Sequence, residues 1–143
     1  MEHVIILALT SDPSIQRIIV VNANGLISLS ETALLSTAPV NLTATGGINQ
    51  IVLNWGAPGS NGGSAITNYK IYRGTSSGGE TLLTTIGNVL TYTDSSGLAK
   101  NTTYYYKVAP VNSAGEGAQS NEASGMLAFR VFITSTTYRG NFG

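Results

Sequence analysis

The run KNTTYYYKVAPVNSAG, Lys100–Gly115, constrains the fold of this chain more than any other stretch. Tyr104, Tyr106 and Val108 alternate with Tyr105, Lys107 and Ala109, and a period of two belongs to a strand with one buried face. Asn112, Ser113 and Gly115 close the run with turn chemistry. The stretch reads as one core strand of a small β-sandwich.

Six further strands are expected around it. Val40–Ala44 comes first, followed by a turn at Gly46-Gly47. Gln50–Trp55 is next, with Ile51, Leu53 and Trp55 on one face, and Gly56–Ala65 is a Gly/Ser/Asn loop. Ile66–Arg73 turns Tyr69 and Ile71 inward. Thr81–Ile86 and Leu90–Asp94 lead to the central strand, taken as Thr103–Val111, and Ser120–Met126 is the last. Seven short strands separated by turn signals describe an all-β sandwich of immunoglobulin type. Glycine, at 17 of 143 residues, exceeds the usual ~7%, and the excess falls in the loops. The expected core is Leu53, Trp55, Tyr69, Ile71, Tyr92, Leu98, Tyr104, Tyr106 and Val108.

The order of these residues resembles a fibronectin type III domain of the bacterial and phage kind, over residues 38–125. APVNLTA matches the family's opening proline and strand. Trp55 matches its core tryptophan, and NGGSAITNYKIYRG its next loop and third strand. Leu98, six residues before Tyr104, matches the tyrosine corner, which implies that the Tyr104 hydroxyl bonds back to the preceding loop. VNSAGEG, Val111–Gly117, completes the match. Pro110 departs from the pattern: it lacks the N–H of a ladder residue, so a local bulge is expected there. The tail RVFITSTTYRGNFG resembles the opening of a lectin-like bacterial surface module.

The flanks read as extensions, residues 1–37 before the sandwich and 126–143 after it. VIILAL, within Met1–Thr10, reads as a strand; it is far shorter than the ~20 residues that span a bilayer. Asn24-Gly25 lies between two β-branched runs and is a strong hairpin signal, so Arg17–Asn22 and Leu26–Ser30 are expected to pair. Glu31–Ala38 reads as a linker or a short helical turn. Phe129, Val131 and Ile133 alternate with polar neighbours, which suggests an extra C-terminal strand. Ile18, Ile19, Val20, Val21, Leu26, Ile27 and Leu29, with Phe129, Val131 and Ile133, form a candidate assembly interface. An isolated hairpin is marginal in water and must pack on something.

The composition excludes several classes of chemistry. Charged residues are 10% of the chain, with seven basic and seven acidic side chains, which argues against a nucleic-acid stripe. There is no cysteine and one histidine, His3, too few for a zinc site. The carboxylates are scattered, and Asp94 reads as a turn cap. The Gly-rich loops lack the Lys-Ser/Thr of a P-loop, and there is no Gly-x-Ser-x-Gly elbow. No cofactor, no nucleic acid and no membrane span are expected. The expected partners are other protein subunits, in a homo-oligomer or larger assembly outside the cell or on a virion. A surface glycan stacked on Tyr72 and Tyr105 is the alternative, as is an accessory domain of a secreted polysaccharide-degrading enzyme.

Overall fold

A computed structural model describes the backbone of residues 3–6, 16–21 and 27–130, and side chains from residue 33 to residue 130. Every element among the described residues is a strand. Three form an N-terminal antiparallel sheet: β1 (His3–Ile6), β2 (Gln16–Val21) and β3 (Ile27–Thr32), with β2 in the centre. The register pairs Val21 with Ile27, so β2 and β3 pair as the sequence suggests. Residues 22–26, Leu26 included, lie outside the described residues.

The sandwich follows. β4 (Val40–Gly47), β5 (Gln50–Gly56) and β8 (Thr91–Asp94) make one sheet. β6 (Asn68–Gly74), β7 (Thr81–Gly87), β9 (Tyr104–Asn112), β10 (Gly115–Glu116) and β11 (Ala123–Gly125) make the other, in the order β10-β9-β6-β7 with β11 also on β9. Leu42, Ile51, Leu53 and Trp55 of the first sheet face Tyr69, Ile71, Tyr104, Tyr106 and Val108 of the second, and all are buried. Each set follows the two-residue alternation of its strand. Trp55 and Tyr69 meet edge to face, ring centroids 5.5 Å apart. Tyr92 and Leu98 are half-buried and pack against this core from its margin. Leu127, beyond the last strand, is a core residue too, at 5% exposure.

Several local expectations need correction. Gly46 and Gly47 continue β4, and Ile48-Asn49 make the turn, Asn49 taking a positive φ of 59°. Gly46 is required by close approach: a Cβ there would lie 1.8 Å from the Met126 carbonyl oxygen. Residues 33–39 form no helical turn and have no regular structure, which leaves the linker alternative. The C-terminal strand is absent over its described part: Phe129 and Arg130 have no regular structure, and Phe129 is 60% exposed. Val131 and Ile133 lie outside the described residues.

The bulge expected at Pro110 is not found. β9 pairs with β6 without a shift, Tyr69 opposite Pro110. The Pro110 carbonyl faces the returning chain and accepts a bond from the Gly117 N–H, 2.8 Å. In a strand the N–H and C=O of one residue point to the same side, so the missing donor also faces that return. There the seventh strand is split into β10 and β11, and its pairing sum with β9 changes between Glu116↔Val111 and Ala123↔Tyr106. A proline ring without a donor interrupts the neighbour that would have accepted from it.

The Tyr104 hydroxyl accepts the Ala99 N–H at 2.9 Å, the corner that Leu98 and Tyr104 imply. Tyr104→Phe is expected to cost about 1 kcal/mol, the net worth of one such bond, in urea unfolding. An unchanged midpoint would mean that the bond contributes nothing to stability.

Candidate functional site

No cluster of three or more His, Cys, Asp or Glu able to hold a metal exists among the described residues. No described helix is long and apolar enough to cross a membrane. The informative features are an inter-sheet ion pair, the outer face of the larger sheet, the entry to the sandwich, and its two poles.

Asp94 is fully buried at the end of β8. Its Oδ2 accepts from Arg73 Nη1 on β6 at 2.8 Å and from the Tyr106 hydroxyl on β9 at 2.9 Å. Its Oδ1 accepts the Ser96 N–H at 3.1 Å, which is the turn-capping role read from the sequence. Arg73 also donates to the Ser96 carbonyl, 2.8 Å, and lies over the Tyr104 ring. Burial raises the pKa of Asp94, but Arg73, the Ser96 N–H and Tyr106 outweigh it and hold the carboxyl below its usual value. The group cross-links the two sheets, and every bond of the carboxylate ends on this same chain.

The outer face of β6 and β9 carries Lys70, Tyr72, Tyr105 and Lys107. Gly74 pairs with Tyr105 and Tyr72 with Lys107, so the two tyrosines lie on a diagonal of one face. Both are half-buried. Tyr72 is also engaged: its hydroxyl donates to Glu116, which pairs with Lys70 at 2.6 Å. Burial and the Glu116 carboxylate push the Tyr72 hydroxyl up to about 12. Lys107 lies 3.0 Å from Glu80 and 3.8 Å from Glu122. Burial opposes ionisation of Glu80, yet Glu122, the backbone and Lys107 hold its carboxyl down to about 2. These ion pairs engage Tyr72 but not Tyr105.

At the entry, residues 34–37 are clamped to the sandwich. Leu34 N–H donates to the Gly62 carbonyl at 2.7 Å, and Thr37 N–H to Ser60 at 3.0 Å. Asn112 Nδ2 donates to the carbonyls of Leu34, 2.6 Å, and Asn61, 2.7 Å. Ala118 N–H donates to the Ser36 carbonyl at 3.2 Å. Gly62, at φ 72°, leaves no room for a Cβ, which would meet the Leu34 carbonyl oxygen at 2.0 Å. Asn112 continues the inward parity of Val108 and Pro110, a signal that the sequence reading passed over when it took Asn112 as a turn residue.

The two poles carry open clefts. One, of about 730 Å³, lies among Pro58, Asn61, Ile66, Tyr69 and Leu90 near the clamp. The other, of about 270 Å³, lies among Ile48, Asn49, Lys100, Leu127, Phe129 and Arg130.

Residues 37–126 match the family model described as fibronectin type III domain. The chain belongs to the fibronectin type III family. A solved Fn3-like protein from Clostridium thermocellum is 29% identical, with 69% of this chain and 100% of that one aligned at a TM-score of 0.57. The 6th fibronectin type III domain of human fibronectin type III domain containing protein 3 is 26% identical, covering 76% of this chain and 97% of that one, TM-score 0.52. A beta-1,2-glucanase from Parabacteroides distasonis shares the fold at 22% identity and a TM-score of 0.59, over 77% of this chain and 17% of that one. Comparison with curated proteins found no match.

Proposed function

We propose that this chain is a non-catalytic structural module that associates with further copies of itself through its N-terminal sheet, in an extracellular, cell-surface or virion-exposed assembly. The register of that sheet carries the reading. β2 lies between β1 and β3, and cross-strand rows alternate between the two faces. One row is Ile5–Ile19–Leu29, and the next is Ile6–Ile18–Ser30. Apolar positions therefore occupy both faces of β1 and β2, while a single sandwich can cover one face. Burying a large aliphatic side chain is worth ~1.5–3 kcal/mol, so a second apolar face favours association.

The sandwich supports a scaffold role in another way. Among the described residues its core runs from Leu42 to Leu127, all but Leu127 within the fibronectin type III match. The neutral, Thr/Ser/Asn-rich composition suits an external protein. Glycan adhesion through Tyr72 and Tyr105 has less support, since the Tyr72 hydroxyl is committed to Glu116.

The test compares the full chain with one that starts at Ala33 and so keeps the Leu34 clamp. In sedimentation velocity over a concentration series, the full chain is expected to self-associate and the shortened chain to remain a folded monomer. A full chain that stays monomeric at high concentration, or a shortened chain that associates equally well, overturns the proposal.

A further inference from the structure

We infer that the cleft at the Ile48–Arg130 pole is a binding site for an organic carboxylate, its charged group held by Lys100 and Arg130 and its apolar body by Ile48, Leu127 and Phe129. The site stands apart from the self-association proposed above and uses no residue of the N-terminal sheet.

Charge selects this cleft. Four acids have described side chains, and each is engaged elsewhere. Glu80 pairs with Lys107, Asp94 with Arg73 and Glu116 with Lys70. Glu122 accepts from Ser77 Oγ at 2.8 Å and from the Gly78 N–H at 3.0 Å. Lys70, Arg73 and Lys107 are thereby neutralised. Lys100 and Arg130 are the two cations left among the described side chains, and both line this one cleft. Neither pairs with a described acid, and no described acid lines the cleft. Two cations that converge without a counter-charge repel each other, and an anion between them relieves that repulsion. Asn49 adds a side-chain amide to the lining.

Three walls are fixed by the fold. Ile48 and Asn49 form the β4–β5 turn, with Asn49 at φ 59°. Lys100 follows Ala99, whose N–H is held by the Tyr104 hydroxyl at 2.9 Å, so the tyrosine corner also places this lysine. Leu127 is buried in the core, and the Ala128 N–H donates to the Gly47 carbonyl at 3.0 Å. Those two anchors set the segment that carries Phe129 and Arg130. Walls ordered before the ligand arrives reduce the entropy lost on binding.

The lining sets the chemical class. A guanidinium matches a carboxylate with two parallel hydrogen bonds, and an ammonium adds a further charged donor. Ile48 and Phe129 are exposed, and a bare inorganic anion would leave them wet. The cleft holds about 270 Å³, at the small end of the ~300–1,000 Å³ of ligand pockets. It therefore takes a monocarboxylate on one ring or a short chain, free or as the end group of a larger molecule.

The experiment titrates benzoate into the full chain and follows the backbone amides of Asn49, Lys100 and Ala128 by NMR. Benzamide keeps the ring without the charge, and inorganic phosphate keeps the charge without the ring. Benzoate should shift these amides saturably. In the Lys100→Gln/Arg130→Gln variant its affinity should fall roughly tenfold or more, each factor of ten being 1.4 kcal/mol. Both side chains are exposed, so the variant should keep the wild-type unfolding midpoint. Benzamide and phosphate should each bind the wild type more weakly than benzoate by a similar factor. No saturable shift at these amides, equal binding by the variant, or benzamide or phosphate binding as well as benzoate overturns the proposal. None of these outcomes bears on self-association, which sedimentation velocity decides separately.

Discussion

Asp94→Ala is expected to destabilise the protein by about 3–5 kcal/mol, the usual cost of removing one partner from a buried ion pair. The carboxylate is fully buried and receives Arg73, Tyr106 and Ser96. Its removal leaves the part-buried Arg73 guanidinium without its counter-charge and the buried Tyr106 hydroxyl without its acceptor. Asp94→Asn keeps the shape and loses the charge, so it should fall between wild type and alanine. The pH dependence follows from the depressed pKa of Asp94. A carboxyl with a lowered folded-state pKa contributes stability above its unfolded value, ~3.9 for Asp, and loses it as pH falls through the folded value. The wild type should therefore lose stability on acidification below about pH 5. The Asn variant should follow a flatter profile. Urea unfolding at a series of pH values measures both, and a loss of under about 1 kcal/mol for the alanine variant would show that the pair is solvated in solution.

Trp55→Ala should cost a comparable ~3–5 kcal/mol, by a different route. Trp55 is 6% exposed and packs edge to face on Tyr69. Its Nε1 has no hydrogen-bond partner among the described residues, so truncation removes packing and leaves no stranded acceptor. Trp55→Phe should consequently retain most of the stability, which separates packing from hydrogen bonding. A Phe variant as damaged as the alanine variant would contradict that account.

The strands and the apolar core were legible because alternation and turn residues act locally. Tyr104, Tyr106 and Val108 reveal their buried face within a few residues of chain. The polar members of the same rows were read less well. Asp94 shares the parity of Tyr92, Arg73 that of Ile71, and Asn112 that of Val108, yet a charged or amide side chain at a strand end also fits a turn. Only the other sheet, distant in sequence, supplies the partner that makes an inward polar residue stable. The bulge expected at Pro110 does not form, because its absent donor points away from β6 to the returning chain and β9 pairs with β6 without a shift. Phe129 alternated like a strand residue, but Leu127 is drawn into the core just before it and the chain leaves the sheet there.

The clamp at Asn112 also has a mechanical meaning. Tension passing between the N-terminal sheet and the sandwich runs through Ala33 and meets Leu34 before it reaches β4. There it is divided at once among the Gly62 carbonyl, the Asn112 side chain, Ser60 and the Ala118 N–H, which belong to a loop, the central strand and the returning chain. A pull at one point is delivered to three parts of the fold, so the sheet and the sandwich are coupled as a lever is to its mount rather than as beads on a string.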